Sequence, residues 1–150
     1  MAAITPQALQ DYLHAHIPLS GAMAVEVRAA TPQSVLLAAP LAPNINHRDT
    51  VFGGSASALA ILAAWGLLHV SMLDANIEAR LVIQKSNMSF DLPMPGDFSA
   101  EANTPAPEKW QRFLATLLKH KRARINIQSV VHCDGKVAGR FDGDFVAVIL

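Results

Sequence analysis

The stretch NHRDTVFGGSASALAILAAWGLLHV, residues 46–70, joins a polar turn to a long uncharged segment. The turn pivots on Gly53 and Gly54, and no Asp, Glu, Lys or Arg occurs from Thr50 to Leu73. A helix that is apolar on nearly every side is typical of the centre of a folded core. We therefore predict a central helix, and its small residues would let a sheet wrap closely around it: Ala56, Ala58, Ala60, Ala63, Ala64 and Gly66.

The same segment is long enough to raise the question of a membrane span. Its first third consists largely of Gly and Ser, and the rest of the chain has the alternating pattern of an amphipathic sheet. We therefore predict a buried helix and no membrane partner.

Composition narrows the class of protein further. The 150 residues suit one domain, 1–150, with 51% hydrophobic residues, 16% charged residues and a net charge of zero. This balance argues against nucleic acid or an anionic membrane as a partner, and the apolar excess predicts surface buried between subunits. Cys133 is the only cysteine, so neither a disulfide framework nor a multi-cysteine metal site is expected. With an N-terminus unlike a signal peptide, we expect a cytoplasmic protein.

The segments around the central helix have the patterns of strands. The last one alternates cleanly, with Val137, Phe141 and Phe145 on one face and charged residues on the other. Asp134 and Gly135 favour a tight hairpin before it. We predict an α+β fold with a short leading helix, strands at 22–30, 34–39, 79–92, 98–103, 122–133 and 136–150, and a second helix at 107–121.

This order of elements resembles the hotdog fold, in which an antiparallel β-sheet wraps around a long central α-helix. The segment LAPNINHRDTVFGGSASALA, residues 41–60, resembles the thioesterase-like domain of the YiiD C-terminal type, a family associated with malonyl-acyl carrier protein decarboxylase (Mad) activity. The resemblance implies a homodimer or a dimer of dimers with sites at the subunit boundary. It implies no metal or separate cofactor, because phosphopantetheine arrives as part of the substrate.

The resemblance also implies where the site lies. Hotdog enzymes carry an Asn in the loop before the central helix and a His-Gly-Gly turn leading into it. Here the Asn corresponds to Asn46 and the turn to Phe52, Gly53 and Gly54. Free N–H groups of Gly54 and Ser55 at the helix N-terminus would form an oxyanion site for a thioester carbonyl or an enolate.

Two departures from the broader family bear on the reaction. The position of the catalytic Asp in related thioesterases is Ile61 here, and Phe52 replaces the His of the turn. The chain therefore lacks two groups that could activate water or attack the thioester, which argues against hydrolysis by that route. Decarboxylation of a malonyl thioester needs no base, and an apolar wall of Phe52 and Ile61 would weaken hydration of the substrate carboxylate. Water, Thr50, Ser55 or His47 could supply the final proton.

Each candidate also has a purely structural interpretation. Asn44 and Asn46 could simply cap their loop; the resemblance favours a substrate contact for Asn46 first and for Asn44 second. Ser55 and Ser57 are more typical of a helix start than of nucleophiles. His69, on the apolar helix, is more typical of a core histidine than of a catalyst.

Four basic residues lie around the start of the strand predicted at 122–133: Lys119, Lys121, Arg122 and Arg124. Such a run is usually a solvated face. Lys121 and Arg122 are nevertheless placed, by the resemblance, to bind the phosphate of phosphopantetheine on coenzyme A or on an acyl carrier protein.

Three functions therefore remain open. The first is decarboxylation of malonyl-acyl carrier protein or malonyl-coenzyme A to the acetyl thioester that can prime fatty acid synthesis. The second is hydrolysis of an acyl thioester with water positioned by Asn46 or by the partner subunit. The third is a non-catalytic acyl-thioester binding module.

Overall fold

A computed structural model describes residues 3–150 as one six-stranded antiparallel sheet around a long helix, α3. All six strands contact α3. The hotdog arrangement expected from the sequence is therefore confirmed. The elements are α1 (Pro6–His16), α2 (Pro18–Ala22), β1 (Glu26–Ala30), β2 (Ser34–Ala39), a 3-10 turn (Ala42–Asn44), α3 (Gly53–Asp74), β3 (Arg80–Phe90), β4 (Phe98–Asn103), α4 (Pro107–His120), β5 (Arg122–Cys133) and β6 (Lys136–Val148).

Helix α3 is apolar and lies in the core. It is long and apolar enough to cross a membrane, but 67% of its most apolar window is buried inside the fold. The Ser129 hydroxyl donates to the Ala60 carbonyl at 2.8 Å, which ties the helix to β5. A side chain at Gly66 would come within contact distance of Val35 and Leu9, so the small residue permits close packing there.

The sheet has the order β1-β2-β4-β5-β6-β3, so β1 and β3 form its two edges. The predicted alternation of β6 is confirmed, since Phe141 and Phe145 are buried while Arg140 is exposed. Strand β3 ends two residues earlier than predicted because the N–H groups of Asp91 and Leu92 both bond to the Ala138 carbonyl and leave the ladder.

The start of β1 differs most from the sequence-based prediction. Residues 22–25 were expected in the strand, but α2 continues to Ala22 and Ala24 takes a positive φ of 58°. The chain reverses there, so only residues 26–30 join the sheet. Pro18 begins α2 and separates it from α1, because a proline is tolerated only in the first turn of a helix.

The second predicted helix is present as α4. It buries Phe113 and Leu117 in the common core, and Trp110 and Leu114 pack against that core from the edge. Lys121 ends the helix in a left-handed conformation with φ 64°, so it lies outside the helix that was predicted to include it.

Candidate functional site

Asn44 anchors the loop that leads into α3. Its side chain is 2% exposed, and Nδ2 donates to the carbonyls of Met23 at 2.9 Å and Pro40 at 2.8 Å. Its own carbonyl accepts from the Phe52 N–H at 2.7 Å, while Oδ1 is buried without a partner among residues 3–150. Asn44 thus fixes the residue before the helix. Because both amide hydrogens are engaged, its contact with substrate stays a prediction.

Asn46 braces the turn that follows. Its Oδ1 accepts from the N–H groups of Arg48 at 2.8 Å and Thr50 at 3.2 Å. Its Nδ2 donates to Thr50 Oγ1 at 3.0 Å and, over a longer 3.3 Å, to the Val51 carbonyl. The side chain therefore folds back on its own loop. The predicted contact of Asn46 with substrate requires exchange of one of these two donated bonds.

The first turn of α3 presents two free donors. Phe52 is the N-cap with extended backbone angles, and its carbonyl accepts from the N–H groups of both Ser55 at 2.9 Å and Ala56 at 3.1 Å. The Ser55 N–H, predicted to be free, is therefore engaged because the first turn tightens. Within the described part of the chain, the N–H groups of Gly53 and Gly54 have no acceptor. The donor pair is thus Gly53 and Gly54.

Two exposed aromatic rings border these donors. Phe52 and Phe90 are each 58% exposed. A Cβ at Gly53 would lie 3.3 Å from the Phe90 ring, and one at Gly54 would clash with the Phe52 ring. The glycines therefore let the two rings approach the backbone closely. Sequence reasoning missed Phe90, although an aromatic residue ending the otherwise polar run KSNMSF was a signal.

The ionisable groups of the turn itself lie on its exposed loop, and Asp91, which pairs with Arg140 at 2.7 Å, directly follows Phe90. His47, Arg48 and Asp49 are exposed, and Asp49 has a positive φ of 62°. Farther along α3, Ile61 is half-buried and packs against the core. The helix itself thus brings no carboxylate near its free donors.

The fold and this loop match a known family. A family model described as "Putative thioesterase (yiiD_Cterm)" matches residues 6–149, nearly the whole chain. The chain belongs to this YiiD C-terminal family.

Solved structures agree with that assignment. A protein of unknown function from Chlorobaculum tepidum is similar to this YiiD-type domain with 27% identity, a TM-score of 0.93 and full coverage of both chains. A "putative thioesterase" from Shewanella oneidensis is 26% identical with a TM-score of 0.85, covering 95% of this chain and 96% of that one. A thioesterase from Haemophilus influenzae, only 12% identical, shares the fold with a TM-score of 0.75, covering 99% and 94%.

The predicted phosphate-binding residues of the YiiD-type domain lie far from the free donors within one chain. Arg122 pairs with Val148 on β6, whereas Phe90, beside Gly53, pairs with Gly139. Nine residues of β6 separate these two positions, or roughly 30 Å along an extended strand. Lys121 and Arg122 are both exposed at the distant end. The structure therefore does not bring them to the turn of the same subunit.

An aromatic cluster joins α1 to the second half of α3. The ring of His69 lies 4.6 Å from that of Tyr12 and 4.9 Å from that of Trp65, and Tyr12 lies 4.2 Å from His16. Burial lowers the pKa of His69 below its ordinary value of 6.5, and the neighbouring His16 lowers it further. His69 is thus a packed, neutral histidine, as its apolar surroundings suggested.

Metal chemistry has no ligand set in the described residues. No group of three or more His, Cys, Asp or Glu side chains is arranged to hold an ion between residues 3 and 150. The free cysteine, Cys133, is buried.

Proposed function

We propose that this protein decarboxylates a malonyl thioester, carried by acyl carrier protein or coenzyme A, to the acetyl thioester. One observation carries the proposal: the N–H groups of Gly53 and Gly54 have no acceptor in the described part of the chain, and the two glycines lie beside phenyl rings at the start of a helix that supplies no carboxylate. Such donors stabilise negative charge on oxygen, and α3 itself offers hydrolysis no base.

The reaction needs little more than these donors. The bond between the substrate carboxylate and the α-carbon breaks, carbon dioxide leaves, and the electron pair moves into the thioester carbonyl as an enolate. The N–H groups of Gly53 and Gly54 hold the enolate oxygen more strongly than the neutral carbonyl. A proton from water or a nearby hydroxyl then completes the acetyl group. Phe52 and Phe90 limit water around the departing carboxylate.

Asn46 is the second donor in this proposal. An amide donates hydrogen bonds without bringing a negative charge that would repel the substrate carboxylate. The longer of its two donated bonds, 3.3 Å to the Val51 carbonyl, is the one that substrate would replace. Thr50 Oγ1 keeps the other and so holds the side chain in the turn.

The partner in the proposed assembly is a second copy, joined through β3. Strand β3 is eleven residues long, lies at the sheet edge, and has every residue exposed or half-buried. An antiparallel pair of such strands about a two-fold axis sets the Arg80 end of one copy opposite the Phe90 end of the other. The open edge, the apolar composition and the family resemblance all support this dimer.

This pairing gives Lys121 and Arg122 a role. Arg80 and Arg122 both pair with Val148, so the three basic residues Arg80, Lys121 and Arg122 lie at one end of the sheet. In the dimer that end meets the Gly53 turn of the other copy. The basic residues of the partner subunit would then bind the phosphate of phosphopantetheine while the thioester reaches the turn.

Hydrolysis of an acyl thioester is the second candidate. The description of the family as a thioesterase and the similarly described relative from Shewanella oneidensis favour it. It requires a base beyond α3, from the exposed loop at His47 and Asp49 or from the partner subunit.

The reaction products distinguish decarboxylation, hydrolysis and binding without catalysis. The protein is incubated with malonyl-acyl carrier protein and with malonyl-coenzyme A, and the thioesters are weighed by mass spectrometry. Acetyl thioester is the expected product. Free thiol would favour hydrolysis instead, and unchanged substrate would favour a non-catalytic binding module.

Asn46→Asp tests the donor role with little change in shape. The carboxylate keeps the acceptor for the Arg48 and Thr50 N–H groups but removes both donated hydrogens. We expect a folded protein with turnover reduced by about 100-fold, the scale seen for loss of one oxyanion donor. Wild-type turnover in this variant would restrict Asn46 to holding the loop.

A further inference from the structure

The loop that leads into α3 closes on itself as a small hairpin, residues 44–52. The Phe52 N–H donates to the Asn44 carbonyl at 2.7 Å, and the Asn46 N–H donates to the Thr50 carbonyl at 2.8 Å. An isolated antiparallel bridge lies between these two bonds. The backbone bonds fix the two strands of this loop hairpin relative to each other. The loop hairpin is therefore held together as one unit.

The proposed donors lie on this unit and directly after it. Asn46 is on the first strand of the loop hairpin, and Gly53 and Gly54 follow its last residue as the start of α3. Donors stabilise an enolate oxygen only when they point at the same place. Because α3 is fixed in the core, the angle between the loop hairpin and α3 sets the position of Asn46 relative to the glycine donors.

The side chain of Asn44 anchors the first strand of the loop hairpin. Nδ2 donates to the carbonyl of Met23, where α2 ends, at 2.9 Å and to that of Pro40, just after β2, at 2.8 Å. The second strand is anchored by its backbone, since the Val51 N–H donates to the Met94 carbonyl at 2.9 Å. A substitution can remove the first anchor and leave the second in place.

These anchoring bonds require an amide. Two carbonyl acceptors need two N–H donors on one group, and Asn is the shortest uncharged side chain that has both. The side chain of Asn44 is 2% exposed, and its Oδ1 has no partner within residues 3–150. The cost of burying that acceptor offsets much of what the two donated bonds contribute to folding. Stability alone therefore favours Asn only weakly at this position.

We infer that Asn44 is a positioning residue for the proposed reaction: by anchoring the loop hairpin to the ends of α2 and β2, it holds Asn46 in line with the two glycine N–H groups. The inference rests on the proposed function, because it takes these groups as the donors to the enolate oxygen. Asn44 acts through the loop hairpin in this role, since both of its amide hydrogens are used within the fold.

Asn44→Ala removes the anchor without adding bulk. We expect kcat for the malonyl thioester to fall about 100-fold, the scale of loss when a reacting group is misplaced by about 1 Å. KM should change by less than about threefold, because the contacts that bind the carrier are untouched. Asn44→Ser keeps one hydroxyl donor and should have an intermediate kcat. If Asn44→Ala does not fold, Asn44→Ser carries the same comparison.

Ser129→Ala is the matched control. Ser129 is 1% exposed, and its hydroxyl donates to the Ala60 carbonyl at 2.8 Å, so this variant also loses a buried bond from a side chain to a carbonyl. That bond ties β5 to the middle of α3 and does not involve the loop hairpin. Thermal unfolding should show that both variants are destabilised, whereas kcat of Ser129→Ala should stay close to that of the wild type.

A second measurement does not depend on turnover. The chain has eight glycines, so selective ¹⁵N-glycine labelling gives a simple NMR spectrum that includes the amides of Gly53 and Gly54. In Asn44→Ala these two signals should shift or broaden, because the hairpin that precedes them is less firmly held. In Ser129→Ala they should change less.

The outcomes separate this inference from the proposed function. A fall in kcat with little change in KM, together with displaced glycine signals, would support the positioning role. Wild-type kcat in folded Asn44→Ala would overturn it, and so would a rise in KM with kcat intact, which would indicate a direct contact of Asn44 with substrate. Absence of decarboxylation by the wild type would overturn the proposed function. In that case displaced glycine signals would still support the anchor, and unchanged signals would overturn it as well.

Discussion

The two edges of the sheet are built differently. β1 has five residues and a bulge between Val27 and Ala29. Side chains of α1 cover it: Gln10 Oε1 accepts from the Val27 N–H at 3.0 Å, and the His14 ring donates to the carbonyl of Val25, just before the strand, at 2.8 Å. β3 has eleven residues and leaves Ile83 37% exposed on the side that faces α3. We call β1, which is covered by α1 of the same chain, the closed edge, and β3, which has no such cover in the described residues, the open edge.

The difference shows that one helix, α1, leaves only β3 uncovered as an edge at which a second copy could pair. An uncovered edge strand invites pairing with another chain, and proteins usually shorten, bend or cover such strands. α1 covers β1, and the bulge bends it. β3 has a bulge as well, between Ile83 and Lys85, but no cover in the described residues. This contrast supports the proposal that two copies pair through β3 and that each completes the other's site.

The largest expected effect comes from charging the open edge. Ile83→Glu would place a carboxylate on each copy at the proposed seam, where desolvation and mutual repulsion both oppose pairing. We expect the dissociation constant of the dimer to rise by at least about 100-fold, or ~2.7 kcal/mol. Sedimentation velocity over a range of concentrations measures this, and turnover per chain should fall with the dimer fraction.

Arg28→Glu on β1 is the matched control. Arg28 is exposed on the closed edge, where its one ion pair, 3.8 Å to Glu26, is solvent-exposed and contributes little. Its sedimentation should match that of the wild type. Equal loss of dimer in both variants would mean that the edges do not differ in the way proposed.

The second prediction concerns the proposed binding of phosphate by Lys121 and Arg122, at the basic end of the open edge. Removing both charges with Lys121→Ala/Arg122→Ala should raise KM for malonyl-acyl carrier protein about tenfold, with a smaller change in kcat, since each phosphate or carrier contact is worth about 1 kcal/mol or less at an exposed site. The dependence of kcat/KM on salt should weaken as well. Steady-state kinetics at several ionic strengths measures both quantities. If neither KM nor the salt dependence of kcat/KM changed, Lys121 and Arg122 would have no role in binding the carrier.

Opening the closed edge should have a moderate effect. Gln10→Ala removes the acceptor for the Val27 N–H, so the free energy of unfolding should fall by about 1 kcal/mol. Urea denaturation measures the loss. The sedimentation of the dimer should be unchanged, and a loss of dimer here would weaken the distinction between the edges.

The smallest expected effect concerns His69, in the aromatic cluster that packs α1 against α3. Because the pKa of His69 is lowered in the folded protein, the unfolded chain binds its proton more readily. Stability should therefore decrease as the pH falls below about 6.5 and be independent of His69 above that value. His69→Gln should flatten the fall in unfolding free energy across this range. Parallel curves for the two proteins would contradict the lowered pKa.

Much of the fold could be predicted because its patterns are local. The uncharged run to Leu73 marked the core helix, and the alternation of β6 marked a strand with one buried face. The start of β1 could not be predicted, since the apolar residues at 22–25 fit a strand but lie in a turn made by α2 and Ala24. Local pattern does not reveal a reversal of the chain.

For the candidate site, the loop before α3 could be chosen from the sequence, but the contacts of its residues could not. The glycines and the Asn residues marked the loop, yet the hydrogen bonds of Asn46 depend on how residues 46–51 fold back on themselves. Phe90 reaches the turn from a strand more than thirty-five positions later, as its contact with Gly53 requires. The distance from Arg122 to the turn follows from strand register, which a single sequence leaves open.

A mixing experiment tests the composite site most directly. Gly54→Val blocks the donor turn, and Lys121→Glu/Arg122→Glu reverses the basic end, so each pure dimer has two defective sites. A mixed dimer has one site with both defects and one with neither. If the two variants are co-expressed and assayed at low substrate, random pairing should restore about a quarter of wild-type activity. Activity no greater than the average of the two parents would contradict a site shared across the open edges.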